Sequence, residues 1–289
     1  MAAETGGVAS RDALQAAGLS YVDIRTELRA GRWRCHGLQT VATHTGPLDD
    51  DARRWCAIWE TGIGVAVLDG VTALQLAGLR NFVDDQVHVS VLHTASVKRL
   101  PNVRLHKVIR RLPDELAASD LPRTRPEVAA LRGASWATSD RQAALVLLMT
   151  VQQRLATPLQ MLEVTARMPG RRRRGFVKRV LLDAADGVQS LGELDFARMC
   201  RTRGVPEPSR QVVRRGPRGR IYLDVRWEAS RLVVEIDGAQ HREGLNATAD
   251  NLSRNAVTLT NDRVLRIDLV GLRLYEDEYL QQVRLGLSL

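Results

Sequence analysis

Ile221-Tyr222-Leu223-Asp224-Val225-Arg226-Trp227, then Glu228-Ala229-Ser230-Arg231, then Leu232-Val233-Val234-Glu235-Ile236-Asp237 decides how the last third of this 289-residue chain is read. Apolar and polar residues alternate on both sides of a short break, the pattern of two half-buried strands joined by a turn. With the turn at Ala229-Ser230, Trp227 faces Leu232, Arg226 faces Val233, Val225 faces Val234 and Asp224 faces Glu235. One side of the ribbon then holds Ile221, Leu223, Val225 and Trp227 opposite Leu232, Val234 and Ile236. It is wholly apolar and belongs in a core. The other side sets Asp224 against Glu235, with Cβ atoms roughly 4.5–5.5 Å apart, and Asp237 two residues further along the same face. Like charges in that arrangement repel, and each raises the pKa of the other unless a cation intervenes. A divalent cation with oxygen ligands removes the conflict. Mg²⁺, or Mn²⁺ in its place, suits one or two carboxylates plus phosphate oxygens. The plainer alternative is a half-exposed hairpin with an ordinary polar face.

The surroundings are strongly basic. Residues 198–220 hold eight arginines and one glutamate, and residues 171–179 hold six basic side chains. Arg214, Arg215, Arg218 and Arg220 are candidates for gripping phosphates. The whole chain carries 42 Lys+Arg against 33 Asp+Glu, a formal +9, which makes a polyanion the expected partner. With 44% hydrophobic residues the chain has matter for real cores, so global disorder is excluded. Few aromatics and no exposed stack of them argue against a single-stranded RNA platform. Cys35, Cys56 and Cys200 lack paired zinc spacing and are odd in number. No segment has the length of a membrane span, and the first residues lack a signal-peptide core. A cytoplasmic protein without a membrane role is expected.

The front of the chain reads as two short helices and a hairpin. Ser10 can cap a helix over Arg11–Ala17. Ser20 can cap a second over Tyr21–Ala30, with Asp23 completing a capping box. Val22, Ile24 and Leu28 are its expected buried side. Tyr21, Arg25, Arg29 and Arg32 are expected on one stripe. Arg32 to Val41, including Arg34, suits strand, turn at Gly37, strand. Helix, turn, helix, basic hairpin is the layout of a winged helix, whose second helix enters the major groove of duplex DNA. Solvated arginines on a helical hairpin are the plain alternative.

Residues 47–170 read as a mixed middle region. Helices are expected over Asp49–Glu60 and Val71–Leu79, and strands over Gln86–Val91 and Val103–Val108, with a turn at Pro101-Asn102. His88 and His106 fall on polar phases, so a solvated sheet face is expected there, and not a metal site with His93. Residues 112–170 are expected to be mostly helical, with long helices starting at Ser139-Asp140 and Thr157-Pro158. Pro169-Gly170 is the expected boundary. The organisation expected is therefore 1–46, 47–170 and 171–289.

The last hundred residues also resemble a known family. An acid on one strand, a hairpin and acid-x-acid on the next resembles the PD-(D/E)xK nuclease core. Residues 187–287 are similar to bacterial nuclease-like proteins related to the very-short-patch-repair endonucleases. The matching stretches are Gly187 to Glu193, Tyr222-Leu223-Asp224, Val234 to Gly238 with His241, Asp250 with Arg254-Asn255, and Val264-Leu265-Arg266-Ile267. The resemblance implies an α/β restriction-endonuclease-like domain with a central mixed sheet. It makes Asp224 and Glu235 metal ligands, Glu193 an acid reaching the same site, and His241 a base or water-orienting group. Asp237 stands where the superfamily usually has lysine, which leaves either an active endonuclease or a nuclease fold kept for binding.

The front resembles another family. Gly6 to Arg11, Ala17 to Ser20 and Arg29 to Trp33 are similar to the winged-helix start of AbiEi-type antitoxins, with Val87-His88-Val89 and Val103 to His106 resembling pieces of their second domain. That resemblance implies an α+β front half, transcriptional autorepression and a cognate toxin encoded nearby. Two functions follow as expectations: a Mg²⁺-dependent endonuclease on double-stranded DNA, or a regulator that binds DNA or a partner without cutting.

Overall fold

The computed structural model describes residues 3–168, 172–185, 196–215, 221–237 and 264–288. The chain is a mixed α/β protein that divides into two compact units, Met1–Arg132 and Gly133–Leu289. Pro169-Gly170, the expected boundary, lies outside the described residues. No described helix is long and apolar enough to cross a membrane.

The first unit begins with strand β1 (Val8–Ser10), helices α1 (Arg11–Ala16) and α2 (Tyr21–Arg29), and strands β2 (Arg34–Cys35) and β3 (Thr40–Ala42). The three strands form an antiparallel sheet in the order β1-β3-β2. The Ser10 hydroxyl caps α1, and Ser20 with Asp23 forms the expected capping box on α2. Gly18 and Gly31 follow the two helices with positive φ, the conformation glycine adopts without strain. Leu14, Ile24, Ala9 and Val41 are buried together, with Leu28 packed against them. Val22 does not join them: it is 57% exposed. A nine-residue helix offers one narrow inward stripe, and Ile24 and Leu28 already fill it.

Helix α3 (Asp50–Thr61), capped by Asp49, lays Ala52 against Val8 and Ala42, with Trp55 and Trp59 at the edge of that cluster. Next come β4 (Val67–Leu68), α4 (Gly70–Leu76), β5 (Val87–Leu92) and β6 (Val103–Val108). The sheet order is β4-β5-β6, with β5 and β6 parallel. Pro101-Asn102 therefore ends a return loop over residues 93–102, where a tight hairpin turn would have reversed the strand.

Both faces of β5 are covered, and this overturns the expected solvated histidines. His88 is 5% exposed. Its Nε2 lies 3.1 Å from Asp84 Oδ2, and its Nδ1 lies 3.1 Å from His106 Nε2. Burial pushes His106 down to about 3, helped by the neighbouring His88 and Arg104. Residues 112–125 are turns and bends rather than helix, with single bridges Leu68–Arg123 and Leu116–Thr124. They carry Glu115 to a buried ion cluster. Arg132, on α5 (Pro126–Trp136), donates to Asp69 Oδ2 at 2.7 Å and to both carboxylate oxygens of Glu115 at 3.0 and 2.7 Å. All three side chains are fully buried. Arg111, Thr124 and the backbone of Leu112 and Gly70 supply the remaining hydrogen bonds to these acids.

The second unit contains α6 (Asp140–Gln152), α7 (Pro158–Arg167), α8 (Arg174–Ala185) and α9 (Phe196–Thr202), then β7 (Arg210–Arg215), β8 (Ile221–Trp227), β9 (Leu232–Asp237), β10 (Val264–Asp268), α10 (Leu269–Leu274) and α11 (Glu276–Ser288). The sheet order is β10-β9-β8-β7, a meander whose added strand β10 runs parallel to β9. Leu223, Val225, Trp227, Leu232, Val234, Ile236, Leu265 and Ile267 form the core with Phe196, Cys200, Leu272, Tyr279, Leu280 and Val283 from α9, α10 and α11. Trp227 donates from its indole nitrogen to Pro206 O at 2.8 Å, so its polar atom is satisfied.

Two outcomes follow. Arg132→Ala leaves the buried Asp69 without its cation and Glu115 with Arg111 alone, and should cost about 3–5 kcal/mol in urea unfolding. The histidine pair sets a pH dependence. His106 titrates near its ordinary 6.5 when unfolded and near 3 when folded. Between those values the unfolded chain binds more protons, so stability is full above about 6.5 and declines as pH falls toward 3. His106→Gln should flatten that slope; an unchanged slope would remove His106 as its source.

Candidate metal and nucleic-acid sites

With the apolar side of the second unit's sheet committed to the core, the chain's alternation sends the other residues of each strand to the opposite face. The register orders them in rows. Val212 pairs with Asp224, Asp224 with Glu235, and Glu235 with Arg266. One row toward the hairpin turn stand Arg210, Arg226, Val233 and Val264. One row the other way, Arg214 pairs with Tyr222, Tyr222 with Asp237, and Asp237 with Asp268. The expected opposition of Asp224 and Glu235 is therefore the observed pairing, and both residues are half-buried. Asp237 holds the strand position two residues from Glu235.

Arg266 is the residue that sequence reasoning missed. Its Nε lies 3.5 Å from Glu235 Oε2, with Glu235 26% and Arg266 67% exposed. The signal was present in Val264-Leu265-Arg266-Ile267, where one basic residue interrupts an apolar strand. Its neighbour could not be assigned without knowing that β10 runs beside β9. Among the described side chains, no group of three or more His, Cys, Asp or Glu gathers as a cage for a metal ion. The donor set present is thus a facing carboxylate pair on an open face, which fits a hard cation that completes its shell with water and phosphate oxygens. His241, Glu193, Arg218 and Arg220 lie outside the described residues. Arg214 and Arg215 are placed on β7 by register alone.

The front sheet and α2 form a second candidate surface. Tyr21, Arg25 and Arg29 are exposed along α2, and the Arg25 guanidinium lies 5.9 Å from the centre of the Tyr21 ring. Arg34 is exposed on β2. Arg32 leaves the expected stripe: α2 stops at Arg29, and Arg32 turns back to make a two-pronged pair with Glu27 at 2.6 Å on each arm. That guanidinium holds the Glu27 carboxyl below its ordinary range. The Ser20 hydroxyl and backbone do the same for Asp23. Both acids of α2 are thus committed locally, while Arg25, Arg29 and Arg34 make no ion pair with a described residue.

The β2–β3 hairpin is held by an acid from outside it. Glu60 on α3 accepts from the backbone N–H groups of Leu38, Gln39 and Thr40 at 2.7–2.8 Å, and from the Thr40 hydroxyl at 2.8 Å. Gly37 has φ +152°, and a Cβ there would meet the Glu60 carboxylate at 2.2 Å. Only glycine lets the acid sit under the turn. Arg11 adds a bond from its Nε to Leu38 O at 2.9 Å. The tip is fixed from both sides before any partner arrives. Burial pushes the Cys200 thiol up to about 12 and raises Cys56 too.

No protein-family model matches the chain, and no curated protein matches it. The sites stand on their own geometry.

Facing carboxylates carry a measurable signature. In metal-free buffer Asp224→Asn should keep or raise the thermal midpoint, because one of two neighbouring like charges is gone. Millimolar Mn²⁺ should then raise the wild-type midpoint and leave that of the variant in place. A variant less stable without metal, and equally responsive to it, would make Asp224 an ordinary structural partner.

Proposed function

We propose that this protein binds double-stranded DNA through α2 and the β2–β3 hairpin, and hydrolyses phosphodiester bonds at the open face of the β7–β10 sheet. Asp224 and Glu235 would hold Mg²⁺ or Mn²⁺ there. The observation that carries the reading is the direct cross-strand pairing of these two acids on the half-exposed side of a sheet whose other side is solid core. A bound divalent cation supplies charge to the phosphodiester and lowers the pKa of the attacking water. The chain's own groups do the rest. Asp224 and Glu235 orient through a rigid sheet, since their strands are fixed by Leu223, Val225, Val234 and Ile236. Exposed Arg210 and Arg226, in the next row, meet flanking phosphates. His241 and Glu193 enter only through the family resemblance, as base and third acid.

The front end supports the DNA half of the reading. Two capped helices, a three-stranded sheet in the order β1-β3-β2 and an anchored tip support a winged-helix reading. Arg25, Arg29 and Arg34, which make no ion pair with a described residue, are exposed on it.

A second reading is favoured by one contact. Arg266 already lies beside Glu235, and Asp237 occupies the position where the nuclease superfamily usually keeps lysine. A sheet neutralised from within suits a fold that grips DNA or a partner, such as a cognate toxin, without cutting. The chain would then be a transcriptional regulator like the type IV antitoxins.

Incubation of supercoiled and mismatched duplex DNA with the full-length protein separates the two. Cleavage that needs Mg²⁺ or Mn²⁺, and falls at least 100-fold in both Asp224→Ala and Glu235→Ala, is expected. No cleavage by the wild type, with promoter DNA still retarded on a gel and released by Arg25→Ala plus Arg29→Ala, would transfer the case to the regulator.

A further inference from the structure

The exposed face of α2 has an unexpected centre. At about 100° per residue, Tyr21, Arg25 and Arg29 lie to one side of that face and Thr26 to the other. Val22 stands between them, in the first turn of the helix. It is 57% exposed, and Tyr21 beside it is 60% exposed. Isolated surface valines are common and need no explanation. This one sits among arginines that make no ion pair with a described residue, on the face that the proposed DNA reading turns toward a polyanion. Phosphates offer it nothing. Water around it forfeits the gain of apolar burial.

The geometry of the turn is also fixed in advance. Ser20 Oγ donates to Asp23 Oδ2 at 2.6 Å and accepts from Asp23 N at 3.2 Å. Thr26 Oγ1 donates to Val22 O at 2.8 Å, so the polar group nearest to Val22 is turned onto the helix backbone. Val22 itself is β-branched and stiff at χ1. A rigid apolar knob is therefore presented at the end of a helix whose first turn, in a helix-turn-helix arrangement, approaches the base edges. The major-groove edges of the four base pairs carry donors, acceptors and a single apolar group, the 5-methyl of thymine.

We propose that Val22 reads a thymine methyl group, and that the preferred DNA site holds a thymine at one fixed position beneath the first turn of α2. Arg25 and Arg29 flank it on the phosphates and adjoining bases. The inference rests on the DNA-binding half of the proposed function and is independent of whether the sheet cuts.

The test uses the full-length protein and duplexes selected by it from a randomised pool. Each thymine of the selected site is replaced in turn by deoxyuridine, which removes the methyl and leaves pairing intact. Wild type should lose about three- to five-fold in affinity at one position, the worth of one buried methyl group. Val22→Ala should bind the thymine and uracil duplexes equally, near the wild-type affinity for uracil. Val22 is on the surface, so this variant leaves the core untouched. Sequence-specific binding that tolerates uracil everywhere, or a selected site without a fixed thymine, overturns the assignment of Val22 and leaves DNA reading by α2 intact. A Val22→Ala variant that keeps the full uracil penalty also overturns it. No sequence preference at all overturns both.

Discussion

A strand has two faces, and in the second unit one of them is spoken for. Leu223, Val225 and Trp227 on β8, Leu232, Val234 and Ile236 on β9, and Leu265 and Ile267 on β10 are all buried in one cluster. Slipping any of these strands by one residue would move its oily side into water and its charged side into the core. The register is therefore not adjustable, and the polar residues have no choice of neighbour. Asp224 faces Glu235 because Val225 must face Val234 and Leu223 must face Ile236. A repulsive pair is held in place by hydrophobic burial, which is the stronger effect: each buried aliphatic side chain contributes about 1.5–3 kcal/mol, against a few tenths to about 1 kcal/mol for a cross-strand charge pair.

The first unit solves a different problem with charge. Its Arg132 cluster places charged groups where water cannot reach, and its histidine pair sets a buried ring against a half-buried one. Asp69 and Glu115 lie far apart in the unit's sequence and both bind Arg132. Such clusters are weak evidence of net stability, but they tolerate no partial removal. Glu60 does a related task at the edge. A carboxylate with two oxygens accepts four hydrogen bonds from one short turn, and the turn is thereby shaped by a residue more than twenty positions away. The hairpin that would meet a partner is positioned by the middle of the unit, not by its own two-residue strand.

Much of this was legible in the residues. The β8–β9 register followed from alternation and one turn, because period two leaves a single solution once the apolar face is assigned. The capping box at Ser20 and Asp23, the capped starts of α6 and α7, and β6 could be read from local chemistry alone. What could not be read depended on distant partners. His88 and His106 looked solvated because alternation shows which residues share a face but not whether a second layer covers it. Val22 looked buried because valine usually is; the helix had only enough inward surface for Ile24 and Leu28. Arg32 looked like part of a stripe because helical spacing was extended past Arg29, where the chain turns and Glu27 becomes its nearer partner. Arg266 was invisible as a site residue because a parallel neighbour cannot be deduced from a strand's own sequence.

Arg266 sharpens the question of what the acid pair is for. If the sheet needed only to neutralise its own acids, a cation two residues from Glu235 on the same strand would serve. That strand position is Asp237. The compensating charge comes instead from the neighbouring strand, on a side chain that is 67% exposed and reaches Glu235 at 3.5 Å. An exposed pair of that length is worth at most about 1 kcal/mol. Where Asp224 and Glu235 held a divalent ion, the guanidinium would give up this contact and be available to a phosphate at the same edge. A pair buried as deeply as Arg132 with Glu115 could not exchange in this way. Shallow placement of Arg266 beside the acid pair suits a face that changes partners better than one built only to hold itself together.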